Sequence, residues 1–239
     1  MSKQDYIGDE LELFSLAENW KNYWSDQIVP YLGSRILEVG AGLGGTTRLL
    51  LSKVSKLTDW IALEPDNKLA EKILPNISDN NEYKEKVKVE VNILSNFDKE
   101  DKFDSLLYID VIEHIENDKK EIQLAIDTLS VGGYLIIVVP AHNFLFSPFD
   151  TAIGHFRRYS RKSLANLIPD NAEIVIHRYL DSLGLFLSLG NKLFLKQSYP
   201  TKKQILFWDK FIIPVSKVLD RILFFGVGKS VLLISKKVR

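Results

Sequence analysis

Short apolar runs separated by stretches of helical period constrain this chain more than any other feature. RILEV at 35–39, DWIAL at 59–63, VKVEV at 87–91, DSLLYI at 104–109 and GYLIIVV at 133–139 have strand length and strand composition. Helical patterns near 45–53, 66–74 and 117–129 lie between them. Strand and helix in alternation predict an α/β domain with a mostly parallel sheet, because parallel neighbours need a crossover to return the chain. Two later strand-like runs, EIVIHRY at 173–179 and SVLLISKKV at 230–238, make seven strands. A chain of 239 residues with 46% hydrophobic and 26% charged residues fits one domain spanning 1–239.

Two helical segments stand outside the alternation. Residues 10–28, with Trp20, Tyr23 and Trp24, predict an N-terminal helical cover within 1–30. Residues 182–228 predict a helical cap inserted between strands six and seven. In the cap Ile205, Trp208, Ile212, Val215, Leu219 and Ile222 recur at three- or four-residue steps, which predicts an amphipathic helix kinked at Pro214.

The 31 basic and 31 acidic side chains balance, yet residues 196–239 hold ten Lys or Arg against Asp209 and Asp220, a net of +8 that leaves −8 for 1–195. This basic, aromatic end is a candidate for anionic lipid or a phosphorylated substrate, and equally for a solvated helix face. The acidic remainder argues against a nucleic-acid partner. The absence of cysteine excludes disulfides and thiolate chemistry. MSKQDYIGDE lacks signal-peptide character and no apolar run reaches roughly 18 residues, so a cytoplasmic protein, peripheral to membrane at most, is expected.

The stretch ILEVGAGLGG at 36–45 joins the first strand to a helix, so its ligand belongs at the carboxyl edge of the sheet. Its glycines fit two patterns: Gly40, Gly42 and Gly45 make a dinucleotide G-x-G-x-x-G, while Gly40, Gly42 and Gly44 make G-x-G-x-G. Charge separates them. Glu38 beside a pyrophosphate would be repelled, whereas a sulfonium and an ammonium would attract it. Glu64, held extended by Pro65, suits ribose hydroxyls of either cofactor. Asp110, ending the fourth strand, adds a second acid across the crevice and favours a cationic ligand.

ILEVGAGLGG, IALEPD, YIDVIEHIEND and LSVGGYLIIVVPAHN together resemble the class I S-adenosylmethionine-dependent methyltransferases of small-molecule and glycan-pathway type, over about 20–160. The resemblance implies a Rossmann-like sheet of order 3-2-1-4-5-7-6 with strand 7 antiparallel. It implies S-adenosyl-L-methionine held by Glu38, Val39, Gly40, Gly42, Gly44, Glu64, Pro65, Asp110 and Val111, with S-adenosyl-L-homocysteine as product. The adenine-binding acid of many members is replaced by Asn92, Ile93 and Leu94, which implies backbone and apolar contact there. A nicotinamide-dependent Rossmann oxidoreductase and a non-catalytic methyltransferase-like module are the alternatives.

Asp110, Glu113 and His114 at i, i+3 and i+4 are similar to the E-x-x-E-H of metal-dependent RNA-end methyltransferases, with His142 or His155 to complete a set. The same spacing occurs in metal-free relatives, and no metal is expected. The loop PAHNFLFSPFDTAIGHFRRYSRKSL supplies the acceptor side. Its expected proton acceptors are His155 first and His142 second, with Asp150 orienting His155. Asn143, Asp150, Arg157, Arg158 and Tyr159 are expected to hold substrate, the arginine forks suiting carboxylate or phosphate. GHFRRYS resembles bacterial methyltransferases of glycan, lipid-linked sugar and natural-product pathways. The expected reaction is methylation, most plausibly on oxygen, of a small-molecule, saccharide or lipid-linked acceptor.

Overall fold

The computed structural model describes residues 9–77, 85–97, 102–192 and 199–239. Its strands are β1 (Arg35–Val39), β2 (Asp59–Leu63), β3 (Val87–Glu90), β4 (Phe103–Ile109), β5 (Leu129–Pro140), β6 (Ala172–Leu180) and β7 (Ser230–Lys237). They form one sheet of order β3-β2-β1-β4-β5-β7-β6, the predicted Rossmann-like arrangement. The first five are parallel, and β7 runs antiparallel to both β5 and β6. Strand five begins at Leu129 rather than 133, so the β4 and β5 pairing starts through an irregularity at Phe103 and Ser105.

Side chains alternate across the sheet, and both faces are buried, which is why the strands read as continuous apolar runs. Ile36, Trp60, Leu107, Ile136 and Leu232 pack on one face, whereas Leu37, Ile61, Leu106, Ile137 and Leu233 pack on the other. The helices are α1 (Asp9–Ser15), α2 (Glu18–Ile28), α3 (Gly45–Leu51), α4 (Asn67–Ile77), α5 (Asp118–Thr128), α6 (Pro148–Ala152), α7 (Arg161–Ala165), α8 (Ser182–Gly190), α9 (Lys202–Phe207) and α10 (Ile213–Ile222). Helix α5 carries Ile122, Ala125 and Ile126 to the second face, and its Asn117 cap accepts the Lys120 amide.

Residues 10–28 form two helices, not one continuous segment, with a break at the buried, non-helical Ala17. Ala17 has no side chain to cap α2. Asp209, 190 residues further along, does so instead, accepting the Asn19 and Trp20 amides at 3.1 and 2.8 Å.

The cap departs from its sequence periodicity. A π-helical turn, Trp208–Ile212, sits between α9 and α10, directly before Pro214. The wider turn inserts a residue and moves the buried stripe. Ile205, Trp208, Asp209, Ile213, Ser216 and Asp220 face inward, while Val215 and Ile222 of the predicted apolar face lie exposed. Buried acids fasten this inner face. Asp220 accepts the Tyr23 hydroxyl at 2.7 Å and the Asp181 and Ser182 amides at 2.7 and 2.8 Å. Asp181 accepts the Trp208 indole N–H at 2.8 Å and the Ser216 hydroxyl at 2.7 Å. Trp20 meets Trp208 with ring centroids 5.9 Å apart, so α2 and the cap share one seam.

Candidate active site

The sheet order reverses between β1 and β4, and the glycine loop and Asp110 emerge side by side at their carboxyl ends. Gly40, Gly42 and Gly44 all have positive φ, at 70°, 56° and 77°, so the loop uses the three glycines of G-x-G-x-G. Gly45 instead starts α3. A Cβ on Gly40 would lie 2.7 Å from Val111, so this contact fixes the first glycine by close approach. Near Gly42 the neighbour is Leu11 of α1, which places the first helix over the loop.

The acids do not share one environment. Glu38 is buried behind the loop, where Oε2 accepts the Thr47 hydroxyl at 2.5 Å and the Trp60 indole N–H at 3.0 Å. Burial pushes its carboxyl up to about 7 against the lowering effect of those hydrogen bonds. Glu64 reaches toward the loop, its Oε2 accepting the Gly42 amide at 2.8 Å and its Oε1 the Asp66 amide at 3.0 Å. Burial raises its carboxyl also. Asp110 opens on the crevice at φ 54°, its N–H donating to the Val138 carbonyl at 2.8 Å; desolvation raises its carboxyl, opposed by His155 and Lys229.

Of the expected adenine flank, Ile93 is exposed, Asn92 accepts the Ile93 amide at 2.9 Å, and Leu94 is packed into the core. Leu94 is therefore unavailable to a ligand. Val39 is likewise a core side chain, and Pro65 is exposed beside Glu64.

The loop after β5 is knitted by its own polar residues. Buried Asp150 accepts Arg158 Nε and Nη2 at 2.7 and 2.9 Å, the Ser147 hydroxyl at 2.8 Å, and pairs with His155 Nδ1 at 2.9 Å. These partners hold its carboxyl below the usual carboxylate range despite burial. Asp150 orients His155 as expected. The other ring nitrogen, however, faces Glu113 Oε1 at 3.7 Å, so both sides of the imidazole meet carboxyl groups.

The two arginines expected to hold substrate have partners within the protein. Arg158 spends its fork on Asp150, and Arg157 bonds Asp118 at 2.6 Å and the Glu116 carbonyl at 2.8 Å. Asn143 accepts the Arg158 amide at 2.8 Å, and buried Tyr159 donates to Asp118 at 2.8 Å. A loop crossing the sheet edge must satisfy its buried polar groups, and these residues do that work.

Asp110, Glu113 and His114 do not share a helical face, because Ile112–His114 is one 3-10 turn and Asp110 lies in the left-handed region. Glu113, His114 and His155 instead bring ligand atoms within 4.8 Å of one another, the metal-capable group among the described residues. Burial and Asp110 hold the Glu113 carboxyl well above its ordinary value, and burial lowers His114 to about 4.

His142 is set differently. It has φ 66°, and its ring lies between Phe144 and Tyr179, each 4.9 Å away and nearly parallel. Its Nε2 is 3.0 Å from the Gly228 carbonyl, an acceptor, so Nε2 carries the hydrogen and Nδ1 the lone pair. Burial lowers its pKa, which keeps the ring neutral at neutral pH.

Lys229 was not foreseen. Its carbonyl accepts the Ala141 amide at 2.8 Å, its amide donates to Asp181 O at 3.0 Å, and its amine lies 4.6 Å over the Trp208 ring. Burial lowers the amine, an effect that Asp181, Asp110 and Asp150 oppose. The clue was antiparallel register: Ser230 pairs with Pro140, so the residue before β7 must emerge where β5 ends.

A methyltransferase-domain family model matches residues 14–173. A search of curated proteins gives no match. The chain is similar to the protein solved in complex with the Haloferax volcanii Trm112 methyltransferase activator, with 13% identity and TM-score 0.63 over 97% of this chain and 99% of that one. It is also similar to coclaurine N-methyltransferase bound to N-methylheliamine and SAH, with 14% identity and TM-score 0.59 over 99% and 75%. NodS, an N-methyltransferase from Bradyrhizobium japonicum WM9, gives 10% identity and TM-score 0.58 over 98% and 100%. At these identities the structural likeness concerns the fold. The family match sets aside the oxidoreductase alternative, and with this strand order the chain belongs to the class I S-adenosylmethionine-dependent methyltransferases.

Proposed function

We propose that the protein methylates a hydroxyl of a saccharide, small-molecule or lipid-linked acceptor, with His142 as the proton acceptor. The observation that carries this is the His142 ring, whose Nε2–H is committed to the Gly228 carbonyl and whose Nδ1 keeps its lone pair. His155, ranked first by sequence, is enclosed between Asp150 and Glu113 and acts as a positioning residue for the loop.

The open backbone of Gly40, Gly42 and Gly44 suits close approach of a cofactor, and Glu64 suits its ribose hydroxyls. Glu38 acts from behind the loop through its charge, and Ile93 offers an apolar flank. S-adenosylmethionine, when bound, supplies a methyl on a cationic sulfur and leaves as S-adenosylhomocysteine. On transfer to a hydroxyl, the O–CH3 bond would form as the S–CH3 bond breaks, and His142 Nδ1 would take the hydroxyl proton. Neutralising that proton in place lets positioning supply most of the rate.

No metal takes part in this reading. Burial and the neighbouring Asp110 raise the Glu113 carboxyl well above its ordinary value, which disfavours the ionised form that a hard cation would need from the Glu113, His114 and His155 group. A rate that survives EDTA supports it, and a rate lost and restored by a divalent ion overturns it.

The function is tested by transfer of labelled methyl into fractionated extract with mass spectrometry of the product. Label in saccharide or lipid fractions is expected; label confined to nucleic acid or protein would sink the acceptor claim. His142→Ala should lower kcat about 100-fold and abolish the acidic limb of the pH profile, which lies below the ordinary histidine range. His155→Ala with a larger effect on that limb would return the role of base to His155.

A further inference from the structure

The cap carries apolar side chains on both faces, and acids only on the inner one. Asp209, Ser216 and Asp220 are buried on its inner face, whereas Phe207, Phe211, Val215, Val218 and Ile222 stand on the outside. These outer residues follow one another at three- or four-residue steps and form a single stripe. Phe207 and Phe211 are in ring contact at 5.4 Å, and Phe224 beyond the helix is 88% exposed. On α8, Phe186 and Leu187 are exposed as well. Aqueous exposure of this much apolar surface marks a binding face.

The charge on the same segment identifies the occupant. Residues 182–229 contain two acids, Asp209 and Asp220, and both are turned inward onto amides and hydroxyls. Lys202, Lys203, Lys210 and Arg221 are exposed, so among its described residues the cap turns apolar and cationic side chains to water and no acid. That combination fits a surface with an anionic top and an apolar depth, which is a bilayer. No helix among the described residues is long and apolar enough to cross one, so the segment would lie in the interface.

We propose that the outer face of the cap, centred on Phe207, Phe211, Val218 and Ile222, docks on an anionic bilayer, and that the acceptor enters from that side. The cap segment adjoins the catalytic loop through residues that precede the ridge. The Lys192 amine donates to the Phe144 carbonyl, Phe144 is exposed and stacks on His142, and Tyr199 packs on Phe149 of α6 at 5.1 Å. An amphiphile with its tail in the bilayer would meet His142 at its polar end. Docking rests on exposure and charge alone; entry of a lipid-linked acceptor rests on the assignment of His142.

Flotation of the full chain with phosphatidylcholine vesicles containing about one quarter phosphatidylglycerol tests docking without any methyl transfer, so its failure leaves the methyltransferase reading standing. The wild type is expected to float. Phe207→Ser with Phe211→Ser should weaken partition about 100-fold. Lys203→Glu with Lys210→Glu, which keeps the stripe, should lose the preference for anionic over neutral vesicles, as should high salt. Near-ultraviolet dichroism and a thermal melt identify folded variants. Equal flotation of the folded serine variant and the wild type overturns the proposal. So does a wild type that stays with the soluble fraction, whether as a monomer, as a dimer broken by the serine pair, or bound to a soluble protein.

Discussion

The parallel sheet and the cap obey opposite rules of burial. In the sheet, Ile36 and Leu37 send alternate side chains to two apolar layers, and water is excluded from both. In the cap, Asp181, Asp209 and Asp220 share the hidden face with Ile205, Trp208 and Ile213, while Phe207 and Phe211 face out. The sheet is held by burial of apolar area, the cap by buried hydrogen bonds set beside Ile205, Trp208 and Ile213. One region is complete in water, and the other has an apolar face left over for a partner.

This contrast can be broken by measurement. Ile137→Ala removes a fully buried side chain between β4 and β7 and should cost about 4 kcal/mol in denaturant unfolding. Asp220→Ala orphans the Tyr23 hydroxyl and two amides and should cost about 3 kcal/mol, an effect of sheet-core size from a polar residue. An Asp220 effect below that of an exposed residue would mean that the cap is not held from inside.

Glu38 makes the sheet's own buried acid pH-sensitive. Its carboxyl rises from 4.5 to about 7 on folding, so the folded state binds its proton more tightly. The stabilisation is full below 4.5 and disappears as pH rises through 7, a change of about 3 kcal/mol that Glu38→Gln should abolish in melts across pH 4–9. A bound cation favours the ionised form, so S-adenosylmethionine affinity should increase through the same pH range in calorimetry. Asp209→Ala removes the cap of α2 and should cost about 1 kcal/mol. Smallest is Val218→Ser on the outer face, within about 0.5 kcal/mol, because that side chain is already in water.

Legibility followed the same divide. Strands of the sheet were visible as apolar runs because both faces are buried, and antiparallel β7 followed from family resemblance. The cap departed from its pattern because a constant helical period cannot register the extra residue of the π turn, so Ile205 and Trp208 of the apolar stripe are buried while Val215 and Ile222 lie exposed. In the catalytic loop the residue types were legible, but not their partners. Arg157 and Arg158 read as anion receptors until Asp118 and Asp150 were seen to occupy them. Lys229 lay just outside its strand motif, and only sheet register brings it to the crevice.

The cap of α2 carries a consequence for assembly. Its first amides are satisfied by an acid 190 residues later, and Tyr23 in the same helix waits for Asp220. The earliest helices therefore cannot reach their final stability when they are made. Trp24 and Ile28 share an apolar layer with Ile36 and Trp60, but the polar contacts of α2 wait for the last quarter of the chain. Closure over the glycine loop would then be a late event, coupled to completion of the face that is inferred to meet the membrane.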